Sequence, residues 1–91
     1  MTLYYQVKRE HVWTSLVDEV VVLHSEKGEY YSFDSVAALI WQTLQEPKSL
    51  EELSDKIQAA YEVSKEECEK DLIDFIELLD NNKFIVKFSK D

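Results

Sequence analysis

The stretch Gly28-Glu29-Tyr30-Tyr31-Ser32-Phe33-Asp34 decides how this chain folds, because the residues before it read as strand and those after it as helix. Ser25-Glu26-Lys27-Gly28 supplies a tight turn, with the single glycine of the chain where a positive φ is needed. Side chains alternate along a strand, so Tyr30 and Ser32 share one face and Tyr31 and Phe33 the other. Upstream, His11 to Val17 is rich in β-formers. A turn at Val17-Asp18-Glu19 leads into Val20-Val21-Val22-Leu23-His24, whose apolar run without strict alternation predicts a strand buried on both faces or at the sheet centre. Leu3 to Val7 has strand character too, but Lys8-Arg9-Glu10 interrupts it and no partner is specified. Residues 1–10 therefore read as a flexible segment or an extra strand.

Downstream, Asp34 or Ser35 is placed to cap a first helix. Val36, Leu39, Ile40, Thr43 and Leu44 form its apolar stripe, with Trp41 at the margin, and Pro47 ends it. Ser49-Leu50-Glu51-Glu52 is a capping box that opens a second helix to about Tyr61, with Leu50, Leu53, Ile57 and Tyr61 inward. Ser64-Lys65-Glu66-Glu67 repeats the device. The third helix runs from about Lys65 to Asp80, with Cys68, Leu72, Phe75, Ile76 and Leu79 on one stripe and Ile73 and Leu78 on either side. Asn81-Asn82-Lys83 stops it, and Phe84 to Phe88 alternates poorly but is β-rich, which predicts a final strand or an extended wing. The expected class is α+β: a three-stranded antiparallel N-terminal sheet, three helices and a short C-terminal wing, resembling a winged helix-turn-helix. No internal boundary appears, so 1–91 reads as one domain.

Composition narrows the function. Ninety-one residues make a single core with little room for an enclosed active site. Ten basic residues against 19 acidic ones give a net charge of −9, which repels nucleic acid and anionic membrane. The third helix, where a DNA reader would be basic, begins Lys65-Glu66-Glu67-Cys68-Glu69-Lys70-Asp71 and carries more acids than bases. One cysteine excludes an internal disulfide and suits a reducing cytoplasm. No segment is apolar and long enough to span a bilayer, so a cytoplasmic location is expected.

Chemistry is sparse. His11 and His24 lie in strands, and no motif joins them to Cys68 or to a carboxylate pair. Cys68 sits on an apolar stripe, where a free cysteine is ordinarily a small inert hydrophobe, although a hydrolase using it is a third reading. No ligand spacing fits zinc or calcium, no cofactor is implied, and the first-turn acids complement helix dipoles. Binding remains. A strand with a free edge beside a wide apolar helix makes a groove for an extended chain. The same edge would let two copies pair, which leaves monomer and dimer both open. The alternative is a winged-helix interaction or regulatory module that holds a folded protein.

The order His11-Val12-Trp13, Val20-Val21-Val22-Leu23, Gly28 to Asp34 and Ala38-Leu39-Ile40-Trp41 resembles the PQQ biosynthesis protein D family. Ser49-Leu50-Glu51-Glu52-Leu53, Tyr61-Glu62-Val63, Asp71-Leu72, Phe75-Ile76, Leu79 and Phe84-Ile85 continue the likeness. Members of that family are recognition elements for ribosomally made, modified peptides. The resemblance implies a non-catalytic adaptor whose partner is the leader of a precursor peptide, added as an antiparallel strand to the third strand against the third helix. Carried onto this chain, the strand side is Tyr30, Tyr31, Ser32 and Phe33, and the helix side is Cys68, Asp71, Leu72 and Phe75. His-Val-Trp near the start and Ile-Trp in the first helix look most like the free-standing members of lasso peptide pathways. Those imply a separate cysteine protease that removes the leader and a cyclase downstream. The family often has glycine in the last helix-to-wing turn. Here Asn81-Asn82-Lys83 stands instead, and Asn is expected to tolerate the left-handed conformation.

Overall fold

The structure, a computed structural model, describes residues 2–90, which form six strands and three helices. Met1 and Asp91, included in the expected domain bounds, lie outside the described residues. Strands β1 (Thr2–Val7), β2 (Val12–Leu16), β3 (Glu19–Leu23) and β4 (Tyr30–Asp34) come first. They are followed by α1 (Ser35–Thr43), the two-residue β5 (Lys48–Ser49), α2 (Leu50–Ala60), α3 (Lys65–Asn81) and β6 (Ile85–Lys90). Two three-stranded antiparallel sheets result, in the orders β2-β3-β4 and β5-β1-β6. The first is the expected sheet, with the valine strand at its centre. Val20 and Val22 are fully buried there, while Val21 and Leu23 are half-buried, so β3 does alternate.

The second sheet takes the C-terminal segment as a strand, one of the two expected alternatives, and supplies the partner that was not expected. The C-terminal segment is a full strand paired with β1 from Thr2↔Lys90 to Val7↔Ile85, and β1 also takes Lys48 and Ser49 on its other edge. This sheet joins the two ends of the chain, a pairing that local sequence pattern does not carry. Tyr4 stacks on Phe88 across it, with ring centroids 6.1 Å apart.

The turns obey their residues, with two differences from expectation. Gly28 takes φ 68 and closes the β3–β4 turn through its N–H to the His24 carbonyl at 2.9 Å. At the start of α1, Asp34 holds the cap position with extended backbone but makes no side-chain cap bond. Ser35 instead enters the left-handed region at φ 51 and donates its N–H to the Asp18 carbonyl at 3.1 Å. The corner is thus tied to the β2–β3 turn, where Asp18 also has positive φ. At the end of α3 the left-handed residue is Lys83, φ 60, and not an asparagine. Lys83 N–H reaches the Asp80 carbonyl at 3.0 Å and Phe84 N–H the Leu79 carbonyl at 2.9 Å. That pair of bonds is a Schellman cap, which needs its positive φ at the residue after the last cap position.

The capping box of α2 is complete. Ser49 Oγ accepts from the Glu52 N–H, and Glu52 Oε1 accepts from the Ser49 N–H at 3.0 Å. That second bond holds the Glu52 carboxyl below its ordinary range. At α3 only the Ser64 half forms, with the Glu67 N–H donating at 3.2 Å. Trp41 is fully buried and not marginal, because α1 is enclosed between the β2-β3-β4 sheet and α2 and so buries more than one face. Its indole meets Trp13, Phe33 and Phe84 at 6.3, 5.8 and 5.5 Å. Tyr61, expected inward, is exposed as the extended residue that ends α2, and Ser54 is buried in that helix instead. Phe84 is the hub where the two sheets meet: wholly buried, it touches Trp41, Tyr31, His11 and His24.

Candidate functional site

β4 pairs with β3 along one edge, and among the described residues no strand covers its other edge. An uncovered edge is a row of backbone donors and acceptors spaced for another extended chain. The side chains divide as alternation requires. Tyr30 is 74% exposed and Ser32 is exposed on the solvent face, where Ser32 Oγ donates to Glu19 Oε2 at 2.7 Å. Tyr31 is half-buried and Phe33 buried on the other face, toward the helices.

α3 runs alongside as the second wall. Phe75 packs edge-on to Phe33 with centroids 5.2 Å apart. At the helix end, Tyr31 OH donates to Asn82 Oδ1 at 3.4 Å, so the helix runs antiparallel to the strand. Leu78 lies three residues after Phe75 and four before Asn82, on the face those two define, and is 42% exposed. Asp71 and Asp74 continue that face toward the helix start, both exposed. The result is a groove with an aromatic floor (Tyr31, Phe33, Phe75), an apolar lip at Leu78 and acids at one end.

Of the eight residues named from resemblance, the structure brings Tyr31, Phe33 and Phe75 together, places Asp71 on the same helical face, and sets Tyr30 and Ser32 on the outer face of the edge strand. Cys68 and Leu72 are placed elsewhere. Both are buried, Cys68 with its Sγ 3.6 Å from the Ser54 hydroxyl of α2, because the apolar stripe that carries them is used for packing against α2. Leu78 and Asp74 belong to the groove by geometry. The signal that finds them is their three- and four-residue spacing from Phe75 and Asp71.

The two walls are held together by the histidines. His24 is fully buried; its Nδ1 accepts the N–H groups of Glu26 and Lys27 at 3.2 Å, and its Nε2 meets the Asn82 carbonyl at 2.6 Å. His11 repeats the pattern, accepting the Ser25 N–H on Nδ1 at 3.1 Å and facing the Lys83 carbonyl with Nε2 at 3.4 Å. Two acceptor nitrogens and two carbonyl partners assign both rings as neutral Nε2–H tautomers. Each imidazole thus bridges the β3–β4 turn and the end of α3. Burial pushes the His11 pKa below the ordinary 6.5, against an opposing pull from the Lys83 carbonyl. The two imidazoles lie tilted with centroids 4.6 Å apart, and Phe84 lies 5.0 Å from His11 and 4.7 Å from His24, whereas the Cys68 thiol has Ser54 as its polar neighbour. Among the described residues no cluster of His, Cys, Asp or Glu could hold a metal ion, and no helix is long and apolar enough to cross a membrane.

A family model described as coenzyme PQQ synthesis protein D (PqqD) matches residues 19–85, a span that contains β3, β4 and all of α3. Two solved structures are similar. TbiB1 in complex with the TbiA(beta) leader peptide is 35% identical, with a TM-score of 0.83 over 93% of this chain and 99% of that one. Lasso peptide synthetase B1 complexed with the leader peptide is 24% identical, with a TM-score of 0.77 over 90% of this chain and 96% of that one, and shares the fold. No curated protein sequence matches.

Proposed function

The chain belongs to the PqqD family, and from that premise we propose that it is a non-catalytic adaptor that captures the leader of a ribosomal precursor peptide. The leader adds to the uncovered edge of β4 as an antiparallel strand and lays alternate side chains over Tyr31, Phe33, Phe75 and Leu78. The observation that carries this reading is the open edge of β4 walled by an apolar face of α3. It is supported by the likeness to TbiB1, which was captured with a leader peptide. Main-chain bonds supply affinity at any sequence, and the pockets select. The whole of 1–91 acts as one recognition domain, a winged helix-turn-helix arrangement turned from nucleic acid to peptide.

The partner that receives the leader is a separate cysteine protease of a lasso peptide pathway, with a cyclase acting afterwards. Asp71 and Asp74 at one end of the groove favour a Lys or Arg in the leader, so association slows as salt rises. The test is fluorescence anisotropy of a labelled leader from the adjoining precursor gene, against a scrambled peptide of the same composition. Saturable binding of the leader alone is expected. Equal binding of the two peptides, or none, contradicts the reading.

A further inference from the structure

An adaptor that presents a leader needs a second surface, one that the leader leaves uncovered, and α3 carries one on its other side. At 100° per residue, Ile73 stands about 160° from Phe75 and about 140° from Leu78 around the helix. It is 46% exposed. A cleft of about 360 Å3 lies there between α2 and α3, with Leu50, Leu72 and Ile73 as its apolar lining and Glu51, Asp55 and Glu69 on its rim. A second depression shares Leu50 and Ile73 and continues past Ile76 to Tyr5 and Lys87 of the closing sheet. Together they form one trough from Lys65 to Asp80, about 22 Å along the helix axis. That is the length of four turns of a partner helix.

The charge of this trough states what it will accept. Its two lysines are already engaged, Lys65 with Glu69 at 4.0 Å and Lys87 with Asp80 at 3.4 Å. Glu51, Asp55 and Glu77 have no basic partner among the described residues. An apolar trough floor of buried and half-buried side chains, with Ile73 exposed on it and unpaired acids along it, matches a helix that carries aliphatic side chains at i, i+3 and i+4 and Lys or Arg on its flanks. We infer that this trough is the docking surface for a basic amphipathic helix of the leader protease. The inference rests on the adaptor reading for the identity of that partner. Protease and leader then sit on opposite sides of α3 and bind at the same time.

The test uses the full chain and the purified protease of the same pathway, without leader, by calorimetric titration. Two variants are compared with the parent: Ile73→Asp, and Glu51→Lys with Asp55→Lys. All three positions are accessible, and circular dichroism checks that both variants fold. The expected result is protease affinity at least tenfold weaker in each, with leader affinity measured by anisotropy within twofold of the parent. Protease affinity within twofold in both variants overturns the inference. So does a parent chain that binds no protease, loss of leader binding in the same variants, or a self-association that Ile73→Asp abolishes. A parent that docks the protease through this trough but binds no leader would strike the adaptor reading and leave the docking surface standing.

Discussion

The β2-β3-β4 sheet and the β5-β1-β6 sheet are both antiparallel and three-stranded, yet they are assembled over very different chain distances. The first is two successive hairpins, each set by its own turn, and it ends in an uncovered edge facing α3. The second joins the chain's beginning to its end, with β6 leaving α3 through a Schellman cap and running back along β1. One sheet offers the uncovered edge on which the proposed binding rests. The other anchors the end of the helix that walls it, and Phe84 and the two histidines connect them. The groove is therefore a property of both sheets, although its strand belongs to only one.

The two sheets depend on each other most at Phe84. Phe84→Ala should cost about 3–5 kcal/mol, a large part of what so small a domain has. Urea unfolding followed by tryptophan fluorescence, from Trp13 and Trp41 beside the first sheet, and by circular dichroism should give coincident midpoints. Separate midpoints would show two independent sheets. His24→Phe keeps a ring but leaves buried N–H groups and the Asn82 carbonyl unpaired, for about 1–3 kcal/mol. Leader affinity should fall with it, since the ring spans turn and helix.

Acid tests the same joint. The folded state holds His11 below its ordinary pKa of 6.5, so below that pH the unfolded chain binds more protons than the native one. Stability should therefore be level above neutrality and fall as pH drops through 6.5 toward the native pKa. His11→Gln should flatten that slope in denaturation midpoints taken from pH 7.5 to 5. A stability that rises on acidification would contradict the sign.

Finer still is the helix face. Leu78→Asp should weaken leader binding at least tenfold, the equivalent of about 1.4 kcal/mol, with stability changed by about 0.5 kcal/mol. The smallest expected effect is a gain. Lys83→Gly relieves a side chain held at positive φ while keeping the backbone carbonyl that His11 uses, and should stabilise by about 0.5–1 kcal/mol in the same urea titration.

Legibility in the sequence divides along the same line as the two sheets. Gly28, the valine run and Ser49 with Glu52 act through neighbours in the chain, so both hairpins and the α2 cap are readable from pattern. The partner of Leu3 to Val7 is not, because β6 lies at the far end and alternation specifies a face but never which strand pairs. Trp41 escaped for a related reason: periodicity marks one buried stripe, and α1 is covered on more than one side. In the groove, Tyr31, Phe33 and Phe75 came from resemblance and meet in space. Cys68 and Leu72 share the helix with Phe75 but face α2, a distinction that spacing draws only once the packing of α2 is known. The histidines were visible as residues, and their work as a clamp depends on backbone groups that sequence does not display.

Whether the leader joins β4 through its main chain is decided by a backbone scan of the leader. A set of leader peptides, each with one amide N-methylated, is titrated against the full chain by anisotropy. Strand addition predicts a period of two, with binding lost when the methylated amide faces β4 and kept when it faces away. Losses that show no alternation, or a leader indifferent to methylation throughout, would contradict it.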